Sequence, residues 1–464
     1  MELLNFYGSR RINLFHLMRD IYIEECVLKT NSESAGMKIE RPSIDRTRYE
    51  SFGGIISSLN PPFLAWVDRD FMRQLGYDSS PLWKDDAVPH GHLSAPTEVH
   101  WAVTNRCSGG CTGCYMNSQP STVVELSTEE LKASLRTLHD MGVFHVALGG
   151  GEAFEREDFF EIVSYCREIG LVPNLTTSGQ SIGEKQIEIC KLMGQVNVSV
   201  DGIGLHYGVN GRNGEFEKAF TALWRLKKAG VQAGINCVVS RHNFSLLAEV
   251  IGFAADEGLN EVEFLKFKPS GRGRCRYREN ALTQEMIRDF YPVLMRIPRP
   301  ASLELKIDCS FIPALLYHRP PRDDLEKCAV AGCEAGNLLL AVKSDGTFSG
   351  CSFVDNGDHE PVAGIASRWH ESAHLRCFRD LVTNAKEPCR SCEYLPVCRC
   401  GCRATALFYN SDFYAPDPEC PWVADFHNKN CSQNKSPGVF SFGSPNSHGS
   451  NRAPSPQRTL PDFC

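Results

Sequence analysis

From about residue 97 the chain alternates between short apolar runs and longer amphipathic stretches. The runs Val99–Val103, Phe144–Leu148, Val172–Thr176, Val196–Val200, Val231–Val239 and Val262–Phe267 have strand length and predict strands within a buried sheet. Between them, apolar residues recur at helical spacing and stop at Gly142, Gly170, Gly194, Gly230 and Gly258. Glycine is the residue that most readily takes the left-handed turn after a helix. Ser127-Thr128-Glu129-Glu130 opens the first of these helices as a capping box, with Ser127 as cap and Glu130 reaching back. Six strands joined by crossover helices require a parallel sheet, either open and doubly wound or closed into a barrel. The pattern leaves that choice open.

The first 96 residues lack this rhythm and are broken at Pro42, Pro61, Pro62, Pro81, Pro89 and Pro96. They read as an accessory region that either recognises a peptide or packs against the domain that follows. From about Phe426 the chain is rich in Ser, Asn, Pro and Gly, which predicts a disordered tail over 426–464 whose Cys431 and Cys464 are not ligands. A length of 464 residues suits about three domains. With 42% hydrophobic and 23% charged residues the composition is that of a soluble globular protein. The net charge of −7 excludes a broadly basic surface, so nucleic acid is not an expected partner. No apolar run reaches the roughly 20 residues needed to cross a bilayer. The N-terminus lacks the basic-then-apolar pattern of a signal peptide, so the expected location is the cytoplasm.

Disulfides are rarely kept in that compartment, yet the chain has 21 cysteines. Only Cys26, Cys107, Cys111 and Cys114 precede residue 150, whereas the stretch from Cys328 to Cys431 is crowded with them. Metal–sulfur ligation explains this distribution better than a disulfide scaffold. Cys107-x3-Cys111-x2-Cys114 follows the first predicted strand directly. Three thiolates on one tight loop can hold three corners of a cubane iron–sulfur cluster and leave one iron open to a small molecule. Taken alone the set also suits zinc.

With Gly149-Gly150-Gly151-Glu152 downstream, the spacing resembles the radical S-adenosylmethionine (radical SAM) family. The resemblance implies a partial (β/α)6 TIM-like barrel over 97–315, with its chemistry at the C-terminal ends of the strands. It assigns Cys107, Cys111 and Cys114 to a 4Fe–4S cluster whose open iron is chelated by S-adenosylmethionine. Gly150, Gly151 and Glu152 match the stretch that holds the methionine amino group, and Ser199 the position that contacts the ribose. One position departs from the family: Gly113 stands where an aromatic usually precedes the third cysteine, and the aromatic is Tyr115 instead.

Further on, Cys333 precedes Gly346-x4-Cys351, then Cys389-x2-Cys392-x5-Cys398-x3-Cys402, and finally Cys420. This order is similar to a SPASM domain, here 316–425, the cysteine-rich extension of radical SAM peptide and protein maturases. By the family's interleaved pattern Cys328, Cys333, Cys351 and Cys402 hold a nearer auxiliary 4Fe–4S cluster. Cys389, Cys392, Cys398 and Cys420 hold a farther one, making three clusters in all. Cys400 is an alternative to Cys402, and zinc-ribbon ligation is the bland alternative for the whole set. Cys166, Cys190 and Cys237 read as small apolar residues, while Cys275 and Cys309 could face a substrate. Lys266, Lys268, Arg272, Arg274, Arg276 and Arg278 could meet an acidic group, though a solvated loop is the plainer reading; Arg212 and Arg241 are similar cases. The resemblance implies an oxidoreductase that abstracts a hydrogen atom from a ribosomally made precursor peptide and crosslinks it or modifies its backbone. A flavodoxin- or ferredoxin-type protein would supply the electron. The alternatives are a porphyrin-propionate decarboxylase-like or sugar dehydrogenase-like enzyme, or a sulfatase-type maturase. Against the last, Ser352 stands where those enzymes have an aspartate.

Overall fold

A computed structural model describes residues 44–59, 62–84, 91–121, 124–354 and 360–433. Residues 1–43 and 434–464, with Cys26, Cys464 and most of the expected tail, lie outside the described residues.

Strands β4 (Glu98–Thr104), β5 (His145–Gly150), β6 (Val172–Thr177), β7 (Val196–Ser199), β8 (Ala233–Val239) and β9 (Glu261–Lys266) fall on the six predicted runs. They pair in parallel in chain order, and β10 (Glu304–Ile307) adds a seventh parallel strand beside β9. This last strand was not foreseen, because only Leu305 and Ile307 of its four residues are apolar. On the other edge, β11 (Leu339–Val342) pairs in parallel with β4, and β12 (Thr347–Ser349) and β13 (Glu360–Pro361) follow antiparallel. The two edges of this sheet are not bonded to each other, so it stays open.

Helix α2 (Thr128–Asp140) shows why the crossovers pack as they do. Leu131, Ser134, Leu135 and Leu138 are buried at helical spacing, and the leucines belong to the same hydrophobic core as Val99, Trp101 and Val103 of β4. Each buried leucine contributes roughly 1.5–3 kcal/mol. The Ser127–Glu130 capping box is present, and Gly142, Gly170, Gly230 and Gly258 take positive φ angles after their helices. On the opposite face of the sheet the strands are polar. Asn197, Asn236, Glu261, Glu263 and Lys306 line the lumen side, alternating with the apolar residues that face the helices.

Residues 46–74 form a unit that the sequence pattern did not reveal: the antiparallel sheet β1 (Arg46–Glu50), β2 (Gly53–Leu59) and β3 (Pro62–Asp68), followed by α1 (Arg69–Gln74). Arg46 donates to the carbonyls of Val143 (2.7 Å) and His139 (3.0 Å), and Arg48 to those of Pro96 (2.8 Å) and Gly142 (3.0 Å). Ile55 and Leu64 pack with Phe144. The sheet is therefore fastened to the turns at the N-terminal ends of the barrel strands.

A final helix, α3 (Pro421–Gln433), carries the fold past residue 426. This moves the start of any tail to 434 or later. No helix among the described residues is long and apolar enough to cross a membrane.

Candidate active site

Every parallel strand from β4 to β10 ends on the same side of the sheet, which is where loops can converge on a ligand. The Cys107–Cys114 loop leaves β4 there. Cys107, Cys111 and Cys114 are all partly exposed, and a Cβ on Gly109 would stand 3.2 Å from the Cys107 sulfur and 3.8 Å from that of Cys111. The loop thus folds back on a glycine with two of its sulfurs turned to the same place. Asn213 N–H donates to the Cys111 sulfur at 3.3 Å.

Gly150 and Gly151 are required by close approach. A Cβ on Gly150, whose φ is +114°, would meet the Thr104 carbonyl oxygen at 2.2 Å, and one on Gly151 the Arg106 oxygen at 2.0 Å. These contacts press the end of β5 against the start of the cysteine loop. Glu152 is buried; it accepts from Thr177 Oγ1 (2.8 Å), Ser178 N (3.0 Å) and Ser178 Oγ (2.6 Å). Its carboxylate locks the end of β6 to the loop after β5. Ser199 ends β7 in register with Asn236, which is in register with Glu263.

The departure at Gly113 has a steric cause: a Cβ there would lie 2.5 Å from the Asn210 carbonyl oxygen and 3.1 Å from the Phe267 ring. Phe267 supplies an aromatic surface at this spot from β9. Tyr115 turns the other way and packs on Phe353 at a ring separation of 5.0 Å.

The basic stretch after β9 is not the solvated loop expected. Arg272 donates to the carbonyls of Cys111 (2.9 Å) and Ser118 (2.6 Å), and Arg276 bonds Thr112. Lys266 pairs with Glu419 at 2.8 Å, and Lys268 with Asp308 at 2.8 Å, all four side chains being nearly buried. Arg212 pairs with Asp201, and Arg241 bonds the Ala281 carbonyl (2.8 Å). These arginines and lysines hold backbone and carboxylates around the cysteine loop.

The later cysteines fall into two groups. Cys333, Cys351 and Cys402 pack together, and Cys309 lies within electrostatic reach of Cys333 and Cys402. Cys389, Cys392, Cys398, Cys400 and Cys420 line one cavity. The split occurs at Arg399, Cys400 and Gly401, three successive residues of positive φ, which turn Cys400 into the cavity and Cys402 away from it. Asp417 fixes this reversal by accepting from Cys402 N–H at 2.9 Å. Cys328 is partly buried against the main core, as are Cys392 and Cys398. Cys166, Cys190 and Cys237 are buried as small apolar residues, and Cys275 is exposed. Burial pushes the Cys351 and Cys420 thiols up to about 12. Such apolar thiols become thiolates when a bound cation compensates their charge, so the donor set fits a metal. Among the described residues no three His, Cys, Asp or Glu side chains converge as they do on a single bound ion.

One lumen group was missed from sequence. Among the described residues half-buried Glu263 makes no hydrogen bond or ion pair, while its neighbours Asn236, Asn197, Glu261 and Lys306 are linked in one chain of bonds. Burial and the Glu261 carboxylate push it up to about 7, with Lys306, Asp308 and His100 as the other charges facing it. Because this value lies above that of an unfolded glutamate, Glu263 favours the fold fully below about pH 4 and loses that effect as pH rises through about 7. Glu263→Gln is therefore expected to raise stability above neutrality by on the order of 1–3 kcal/mol and to leave it unchanged in acid. Thermal midpoints of both proteins across that pH range check this.

A family model described as the Radical SAM superfamily matches residues 101–254. Mycofactocin maturase MftC of Mycolicibacterium smegmatis is 29% identical, over 71% of this chain and 83% of that protein. AdoMet-dependent heme synthase of Methanosarcina barkeri is 27% identical, over 70% of this chain and 97% of that one. The crystal structure of Streptococcus suis SuiB bound to precursor peptide SuiA has a TM-score of 0.63 at 17% identity, covering 82% of this chain and 100% of the other. At that identity the likeness is one of fold. The three-cysteine loop at the strand ends and the glycines pressed against it lie within residues 101–254, the stretch that carries a radical SAM domain, the domain of enzymes that use S-adenosylmethionine and a 4Fe–4S cluster.

Proposed function

We propose that this enzyme oxidatively modifies a ribosomally made precursor peptide, forming a crosslink or altering the backbone after hydrogen-atom abstraction. The observation that carries the reading is the pair of cysteine groups in the C-terminal segment, one of which reaches the mouth of the barrel through the Phe353–Tyr115 contact. Two auxiliary 4Fe–4S clusters in a SPASM domain suit an oxidation, since a substrate radical must give up a second electron. Two relatives support the substrate class: MftC is a maturase, and SuiB was crystallised with a precursor peptide.

Cys107, Cys111 and Cys114 would hold the cluster that S-adenosylmethionine joins, and the two together would supply the radical chemistry that removes a hydrogen atom from the substrate. The chain's own residues do the placing. Gly150 and Gly151 bring backbone close to the loop, Arg272 clamps the loop's carbonyls, and Phe267 offers an apolar ring beside Gly113. Cys333, Cys351 and Cys402 would hold the nearer auxiliary cluster, with Cys328 or Cys309 as fourth ligand. The far cavity would use four of its five thiols. The sheet of β1 to β3, fastened at the N-terminal ends of the strands and so away from the cysteine loop, would recognise a part of the peptide remote from the reacting residue, and the location is cytoplasmic.

The heme synthase relative favours a second reading, decarboxylation of a porphyrin propionate. The two are separated by titrating reduced holoenzyme with a deuterated precursor peptide and, separately, a deuterated porphyrin. Deuterium is expected in 5′-deoxyadenosine from the peptide. Transfer from the porphyrin alone would replace the peptide reading.

A further inference from the structure

We propose that the buried Lys268–Asp308 pair sets the reduction potential of the auxiliary cluster nearest the barrel mouth. The inference rests on the reading above, in which Cys333, Cys351 and Cys402 hold that cluster.

Lys268 lies two residues beyond β9 and Asp308 one residue beyond β10, so adjacent parallel strands deliver a cation and an anion to the same point. Lys268 Nζ is 2.8 Å from Asp308 Oδ2, and the side chains are 5% and 10% exposed. The same Nζ stands 5.3 Å from the centre of the Phe353 ring. Phe353 packs against the group formed by Cys333, Cys351 and Cys402, and it touches Tyr115, the residue after Cys114. Lys268 therefore sits beside the bridge between the barrel's cysteine loop and the nearer thiol group.

The Lys268 ammonium is held against the Asp308 carboxylate at 2.8 Å where little water reaches it. Cluster potentials depend on nearby charge and solvent exposure, and a charge acts strongly where water is excluded. Reduction adds one negative charge to a cluster. Lys268 favours that charge, while Asp308 opposes it and holds the ammonium in place. Asp308 is itself held by Ser310 N–H at 2.9 Å, so removing Lys268 leaves a buried carboxylate facing the thiols.

The test is a redox titration of anaerobically reconstituted full-length enzyme, followed by electron paramagnetic resonance, with iron content measured on every sample. In Lys268→Met one couple is expected to become harder to reduce by at least tenfold, about 59 mV for one electron. Asp308→Asn should move the same couple the opposite way, and Lys268→Arg should leave it in place. A merely structural role would change stability or iron content without these opposed shifts. If Lys268→Met fails to fold, the Asp308→Asn and Lys268→Arg titrations still decide. Couples that coincide in all proteins at full iron content would overturn this inference and leave the peptide reading intact. About four irons in the unaltered enzyme, one cluster's worth, would overturn the reading and this inference with it.

Discussion

Reconstituted protein in which Cys107, Cys111 and Cys114 are all alanine is expected to make no 5′-deoxyadenosine and to hold about eight irons, against about twelve expected in the unaltered chain, four per cluster. The whole effect is expected from three side chains because the loop carrying them is held by other groups. Cys107 N–H bonds the Gln119 carbonyl at 2.7 Å, Thr112 N–H bonds Gly211, and Arg272 clamps Cys111. None of these contacts uses a cysteine sulfur, so the loop should keep its path in the variant while losing its cluster. The measurements are iron analysis and chromatography of the nucleoside product after anaerobic reduction. Stoichiometric zinc with little iron in the unaltered protein, or cofactor cleavage that survives in the variant, would refute the assignment.

The second large effect separates two cysteines only two positions apart. Cys402→Ala is expected to lose about four irons and product formation, while retaining part of the uncoupled cleavage of S-adenosylmethionine. Cys400→Ala is expected to keep its iron, because four other thiols line its cavity. Cys402 is fixed in its group: it packs with Cys333 and Cys351, and Asp417 and the positive φ angles of Arg399, Cys400 and Gly401 hold it there. Metal binding is coupled to folding at such sites, so Cys402→Ala should also lower the thermal midpoint of the holoenzyme. Equal iron loss in the two variants would mean that the two groups are not separate sites.

Much of the architecture was legible because each feature is local. A strand buried against helices shows as an apolar run, a helix end as a glycine, and a capping box as serine followed by glutamate three positions later. The cysteine loop was legible for the same reason, since its three cysteines lie within eight residues. The accessory sheet was not, because β1 and β2 mix arginine, serine and glycine with their apolar residues. The expectation that the basic stretch is solvated failed because the carboxylates that pair with Lys266 and Lys268 lie 40 and more residues away.

By itself, then, the sequence determined the order of strands and helices, the capping and breaking points, and the thiols available to a cluster. All of these depend on residues close together along the chain. Tertiary structure alone decided which thiols stand together and which lysines are buried ion pairs. It also decided that Gly113 yields its place to Phe267, and that Glu263 faces the lumen without a partner. Each of those outcomes depends on burial, which removes water from a charge or a thiol and makes its neighbours across the fold, rather than along the chain, the groups that govern it.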